Sequence, residues 1–301
     1  MEPHDLGFIG LGNIGGALAG NLLADGHRLC VYDVDSARSV TLAQAGATVA
    51  KSPGEVAAGA HITFMSLPSP RVMEDVARQW LSQAAGSGKI LVDLTTNAPA
   101  TVQAVGERLL AEGAHLVEAP VTGGAPGARN RQLVFITGGD TDIVARVRPL
   151  LDSLGRATFH LGRLGSGNVG KLVNSLLAFS SMWVTLEGLA LAAKSDVDLR
   201  TLVDMVRTSG GATPYIDRRV DEIGTRGRPA EFALGLAAKD AGLMLDAGRQ
   251  AGVPMPVASA LHEMLAFAVG QGLAGRDISD LVEVVERAAA VKLELRPPEP
   301  A

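Results

Sequence analysis

The chain is poor in the features that mark several large classes of protein. It has one cysteine, Cys30, in 301 residues, so no disulfide closes within it and the composition suits a reducing compartment. It has no basic run, and a formal charge of −5 argues against general nucleic-acid binding. Its six histidines are scattered without metal-ligand spacing, so no metal is expected. The opening MEPHDLGFIG lacks the basic-then-apolar order of a secretory signal, and the expected location is cytoplasmic. The most apolar long run, Leu176 to Ala193, is broken by Ser180, Ser181, Thr185 and Glu187. A core helix fits it better than a membrane span, and no membrane partner is expected. What remains is 47% hydrophobic and 20% charged, the composition of a packed globular protein of one large or two ordinary domains.

The first half has an ordered series of signals. The apolar run Leu6–Ile9 passes at once into Gly10-Leu11-Gly12-Asn13-Ile14-Gly15. A helical pattern with Ala17, Leu18, Leu22 and Leu23 on one side follows, and Gly26 ends it. A second run, Leu29–Tyr32, closes on Asp33, 18 residues after Gly15. Strand, glycine turn, helix, strand and acid at nearly the usual spacing of about 20 is the order that binds a dinucleotide. One glycine makes the turn, one admits the pyrophosphate and one lets helix and strand pack, while the helix N-terminus offers N–H groups to the phosphates. Asp33 faces the adenosine ribose hydroxyls in this reading and repels a 2′-phosphate. NAD is therefore expected over NADP, with Arg38 as a partial counterweight.

Further strand-like runs at 47–49, 61–66, 90–93, 115–118 and 133–137, mostly separated by helical patterns, predict a mostly parallel sheet covered on both faces. Two strand ends carry turn or polar residues where such sheets bind ligands: Ser66-Leu67-Pro68, and Asp93 through Thr95 to Asn97. Asn97 before Pro99 also reads as a helix cap, and one loop can serve both uses. After Gly167 the patterns are helical, at about 168–193, 198–209, 231–252, 255–271 and 277–291. The expected architecture is α/β: a Rossmann-type doubly wound domain over 1–164 and an all-α domain over 165–295, joined by a long helix, with an unstructured tail at 296–301. The apolar second half suggests helix-mediated homodimers or homotetramers.

The joining helix opens with GSGNVGKLVNSLL at 165–177. Leu172, Val173, Leu176, Phe179 and Trp183 supply apolar bulk. Lys171, Asn174, Ser175, Ala178 and Ser181 share another face by their i, i+3, i+4 spacing. A small, polar face with one cation and one amide suits the lining of a cleft. A lysine snorkelling at a wet surface gives the same spacing.

These residues together resemble the beta-hydroxyacid dehydrogenase family of 6-phosphogluconate dehydrogenase-like proteins, which includes 3-hydroxyisobutyrate dehydrogenase and tartronate semialdehyde reductase. The likeness covers nearly the whole chain. GFIGLGNIGGALAGNLLADGH matches the N-terminal signature, with Ile14 where methionine is usual. EAPVTGGAPGARNRQL at 118–133 matches the substrate motif, roughly DAPVSGGxxGAxxGTL, and Gly165, Gly167, Lys171 and Asn174 match the catalytic motif GxGxxxKxxN. Phe232 followed by Lys239-Asp240 matches a later pattern.

The resemblance implies an oxidoreductase that moves a hydride between a nicotinamide cofactor and a short 3-hydroxy acid of the 3-hydroxyisobutyrate kind. Lys171 is then the catalytic acid/base; Thr122, Gly123 and Gly124 hold the substrate carboxylate and Asn174 binds substrate. Gly10 to Gly15, Asp33, Leu67, Pro68, Thr95 and Lys239 hold the cofactor, with Thr95 and Asn97 near the nicotinamide ribose. An alternative is an NAD(P)H-dependent reductase of a small aldehyde acid such as tartronate semialdehyde, glyoxylate or succinic semialdehyde. Imine reductases share the fold but usually lack the lysine. A dinucleotide-binding scaffold or redox sensor need not keep both Lys171 and Asn174. The chain departs from the motif at Thr122, where serine is typical, and at Arg131-Gln132, where Gly-Thr is typical. Arg131 either enlarges the anion-binding end of the pocket or points outward.

Overall fold

Six short apolar runs form one parallel sheet in a computed structural model of the chain, which describes residues 3–295. They are β1 (Asp5–Ile9), β2 (Arg28–Tyr32), β3 (Thr48–Val49), β4 (Ile62–Met65), β5 (Ile90–Asp93) and β6 (His115–Glu118), in the order β3-β2-β1-β4-β5-β6. The helices α1 (Gly15–Ala24), α2 (Val40–Gln44), α3 (Pro53–Gly59), α4 (Pro70–Leu81) and α5 (Pro99–Ala111) make the crossovers. Proline stands in the first turn of α3, α4 and α5, where its missing N–H costs nothing. The Ser52 and Ser69 hydroxyls accept the N–H groups of Glu55 and Val72, which fixes where α3 and α4 start.

Successive residues of a strand point to opposite faces, and both faces are buried. Leu6, Phe8, Val31, Phe64, Val92 and Val117 pack on one side. Ile9, Met65, Leu91 and Leu116 pack on the other, with Trp80 and Val105 from the helices. This is why the strands read as nearly continuous apolar runs.

The run at 133–137 joins a different sheet from the one expected. It is β8 of a second, three-stranded sheet made by β7 (Val121–Thr122), β8 (Leu133–Thr137) and β9 (Gly155–His160) in the order β7-β8-β9. Helices α6 (Gly124–Arg129) and α7 (Thr141–Leu154) connect them. The sequence did not reveal β7, which is two residues long, or β9, whose residues GRATFH are mostly half-exposed and have no apolar run.

The described chain divides into two compact units, Met1–Leu172 and Val173–Ala301. Helix α8 (Ser166–Lys194) begins in the first and continues into the second. The second unit is helical: α9 (Leu199–Arg207), α10 (Pro214–Arg218), α11 (Leu234–Ala251), α12 (Pro256–Ala268) and α13 (Leu281–Ala289). Phe179 stacks on Phe232 with ring centres 5.8 Å apart. Trp183 and Phe179 are buried as expected, but Val173 is exposed. By length and composition α8 suffices to cross a membrane. Leu186 and Leu189 are buried in the protein instead, and Glu187 accepts the Trp183 indole N–H at 2.7 Å. The tail at 296–301, expected to be unstructured, lies outside the described residues.

Candidate active site

The sheet order reverses between β1 and β4, and ligands of open parallel sheets bind at the carboxyl ends beside such a reversal. The glycine loop leaves β1 there. Gly10 has φ +86°, a conformation other residues avoid, and a Cβ on Gly15 would lie 1.9 Å from the Gly10 carbonyl oxygen. These two shape the loop itself. Gly12 differs: a Cβ there would meet nothing closer than Arg38 Nη1 at 3.7 Å. Its bareness leaves the backbone open to an incoming group. Helix α1 follows with Ile14 at its N-cap, no side chain capping it and no acid in its first turn, which suits a bound pyrophosphate. The loop from Gly10 through Leu11, Asn13 and Ile14 to Gly15 therefore fits a dinucleotide.

Asp33 is more occupied than its sequence position implies. Its Oδ2 accepts the Leu11 N–H at 2.6 Å and its Oδ1 the Asp35 N–H at 2.9 Å, and its side chain is 4% exposed. The carboxylate thus braces the glycine loop. Arg38 lies 3.7 Å from Asp33 and 3.5 Å from Asp35, and Val34 beside them is fully in solvent.

The neighbouring strand ends are tied together. The Leu67 N–H, next to Pro68 after β4, donates to Thr95 Oγ1 at 3.0 Å. The Thr95 N–H donates to Asp93 Oδ1 at 3.0 Å. Asn97 is not a helix cap: that position is Ala98. The Asn97 amide donates instead to Asp93 Oδ2 at 2.6 Å, and its backbone N–H to Asn168 Oδ1 at 2.7 Å. Burial pushes the Asp93 carboxyl up to about 7, against the hydrogen bonds from Thr95 and Asn97. Asn97 Oδ1 is buried with no hydrogen-bond partner. An unsatisfied acceptor in this loop fits a ligand that brings a donor.

The substrate motif turns sharply after β7. Thr122 ends that strand, and Gly123 and Gly124 follow with φ +124° and +64°. Lys171 is buried in the second turn of α8, and Asn174 lies one turn further along the same helix. Ser175 and Ser181, expected on that face, are partly or fully buried with hydroxyls that find no partner. Helix α11 carries Lys239, whose ammonium pairs with Asp240 at 3.1 Å although the two are adjacent. The long lysine chain reaches back to a carboxylate that is almost fully buried.

Arg131 points outward. Its guanidinium pairs with both oxygens of Asp25 at 2.8 Å and donates to the Ser153 and Asn21 carbonyls. Its φ is +56°, so a glycine at this place in the motif meets a backbone requirement. Two residues here carry no sequence signal strong enough to single them out. Glu118 ends β6 fully buried, and Asn168 in the first turn of α8 hydrogen-bonds to it at 2.6 Å.

Residues 5–162 match the family model described as the NAD binding domain of 6-phosphogluconate dehydrogenase. Residues 165–285 match the one described as NAD-binding of NADP-dependent 3-hydroxyisobutyrate dehydrogenase. The 3-hydroxyisobutyrate dehydrogenase of Pseudomonas aeruginosa is 36% identical over 251 residues, covering 80% of this chain and 84% of that protein. Glyoxylate/succinic semialdehyde reductase 1 of Arabidopsis thaliana is 31% identical over 284 residues, covering 94% and 98%. A solved structure of Mycobacterium tuberculosis 3-hydroxyisobutyrate dehydrogenase with L-serine matches with TM-score 0.86 at 26% identity, covering 94% of this chain and 99% of that one. The nucleotide loop, the catalytic motif and these likenesses agree: the chain belongs to the beta-hydroxyacid dehydrogenase family and is an NAD(P)-dependent dehydrogenase of small hydroxy acids.

Proposed function

We propose that the protein oxidises a short 3-hydroxy acid of the 3-hydroxyisobutyrate kind, prefers NAD, uses Lys171 as its acid/base and works as a homodimer or homotetramer. The observation that carries the reading is Lys171 itself, a buried lysine in the second turn of α8. Lysine is seldom buried without a specific task or partner.

Thr122 and the backbone of Gly123 and Gly124 hold the substrate carboxylate, and Asn174 orients the substrate. Nicotinamide, when bound, exchanges a hydride with the hydroxyl-bearing carbon. In oxidation the neutral Lys171 Nζ takes the hydroxyl proton; in reduction its ammonium returns a proton to the forming alkoxide oxygen. An unperturbed lysine keeps its proton to about pH 10, so oxidation gains from alkaline solution and reduction does not.

Asp33 beside the solvent-exposed Val34 supports NAD, and Arg38 softens the discrimination. The likeness to the Arabidopsis reductase over 94% of the chain favours a second reading, reduction of a small aldehyde acid at the same site. A turnover screen of C3–C5 hydroxy acids and aldehyde acids with NAD(H) and NADP(H) separates the two. Lys171→Ala tests the acid/base: kcat falls roughly 10²–10⁴-fold, the usual worth of a positioned acid/base, while cofactor affinity stays. A variant that keeps more than a tenth of the wild-type kcat overturns this role.

A further inference from the structure

Glu118 closes β6 with its side chain fully buried, and the reaction outlined above gives it no part. Its Oε1 accepts the Gly167 N–H at 2.9 Å. Its Oε2 accepts the Asn168 N–H at 3.0 Å and the Asn168 amide at 2.6 Å. The two backbone donors belong to the first turn of α8, where no earlier turn of the helix exists to receive them. The carboxylate is fitted to this place. A Cβ on Gly138 would lie 2.1 Å from Oε1, and one on Gly167 would lie 3.1 Å from Cδ. The second glycine of the catalytic motif is thus bare because Glu118 and the Ile136 carbonyl press against it.

The contact does not end at the helix. Asn168 Oδ1 accepts the Asn97 N–H, Asn97 donates to Asp93, Asp93 accepts the Thr95 N–H, and Thr95 accepts the Leu67 N–H, each bond between 2.6 and 3.0 Å. One buried chain of hydrogen bonds therefore runs from the start of α8 across the carboxyl ends of β6, β5 and β4. All of it lies in the first compact unit, as does Lys171. Lys171 is three residues beyond Asn168 and four beyond Gly167, the neighbouring turn of the same helix face. Any shift or rotation of the first turn moves Lys171 directly.

We propose that Glu118 and Asn168 are positioning residues for the reaction, fixing the height and rotation of the Lys171 turn against the loop that carries Thr95. The proposal rests on Lys171 being the acid/base. It adds residues that touch neither substrate nor cofactor and act through the helix they hold. The hydrogen-bond demand suits a carboxyl group whose two oxygens both accept. Glutamine has the same shape but turns one acceptor into a donor facing a backbone N–H, so the helix start must move.

The test is a double-mutant cycle of Glu118→Gln and Lys171→Ala, with kcat measured under single-turnover conditions so that slow variants stay measurable. Cofactor affinity and thermal midpoint are measured alongside. Glu118→Gln lowers kcat at least tenfold in the wild type, the usual order for a displaced reacting group, with cofactor Kd changed less than about threefold. In the Lys171→Ala background the same change costs less than about twofold, because the group being positioned is gone. An equal factor in both backgrounds, or a kcat within twofold of wild type, overturns the proposal. A Lys171→Ala variant with more than a tenth of normal kcat overturns the acid/base reading, whatever Glu118→Gln does. If Glu118→Gln does not fold, Asn168→Ala replaces it in the same cycle, since it leaves both backbone bonds to the carboxylate and cuts the tie to Asn97. The same dependence on Lys171 is expected, and its absence overturns the proposal.

Discussion

Arg131 holds a backbone conformation that L-residues avoid, with φ at +56°, and its bonds to Asp25, Asn21 and Ser153 keep it there. The side chain fastens α1 to the end of α7. Arg131→Ala loses the ion pair and keeps the strain, while Arg131→Gly loses both. The glycine variant is therefore the more stable by about 1 kcal/mol, readable in urea unfolding, and kcat/KM for one-carboxylate and two-carboxylate acids changes alike in both. A selective loss on two-carboxylate acids would restore Arg131 to the pocket. Asp93 makes a second residue-level case. Its carboxyl keeps its proton to about pH 7 in the folded chain but releases it near 3.9 when unfolded. Between those values the folded state binds more protons, so this site's contribution to stability falls as pH rises and returns on acidification. Asp93→Asn abolishes the titration. From about pH 8 to about pH 5 the wild type therefore gains about 3 kcal/mol on the variant. A constant difference in urea midpoints would mean that Asp93 is ionised throughout.

At the scale of elements, β2 and the glycine loop act as one device, because Asp33, next after β2, accepts the Leu11 N–H. On the proposed preference for NAD, Asp33→Asn with Val34→Arg removes a charge that would repel a 2′-phosphate and supplies a guanidinium to grip it. The ratio of kcat/KM for NAD over NADP should fall at least tenfold. The brace predicts a second effect, a lower thermal midpoint, because an asparagine supplies only one acceptor for the two N–H groups Asp33 now receives. An unchanged cofactor ratio would place the adenosine end elsewhere. Elements with a strong period were legible in the sequence: β1, β2, β4, β5 and β6 are apolar runs, and α8 declares itself by its glycine opening. Those whose existence depends on partners were not. Strand β9 has little apolar character, and β7 is too short to show a pattern. The tie from Glu118 to Asn168 spans 50 residues and has no local signature. One trace of it was readable in retrospect. Three strands end on or just before an acid, Asp33, Asp93 and Glu118, and each of these acids accepts backbone N–H groups at the sheet's carboxyl edge.

At the scale of the whole molecule, the two matched family regions meet between residues 162 and 165, while the two compact units meet at Leu172 and Val173. The difference is the start of α8, which Glu118 holds to the first unit. Lys171 thus belongs structurally with the nucleotide loop and Asn174 with the helical unit. Beyond that point the same helix turns apolar side chains to solvent: Val173, Leu177, Val184 and Leu191 are 53%, 68%, 56% and 71% exposed. Their spacing of four, seven and seven residues puts them on one stripe. Isolated exposed leucines are ordinary, but an ordered apolar stripe along one helix is the kind of surface on which the proposed homo-oligomer would pack. In the proposed assembly a second copy buries this stripe, so that the middle of the helix is covered on more than one face. Leu177→Glu with Leu191→Glu leaves the buried side of α8 untouched and places two charges where the partner's apolar surface would be, where burying them unpaired is costly. In sedimentation at micromolar protein the wild type should run at two or four times the 31.0 kDa of the chain, and the double variant at one. A wild type already at the mass of one chain would overturn the assembly. A variant that keeps its mass would move the interface off α8.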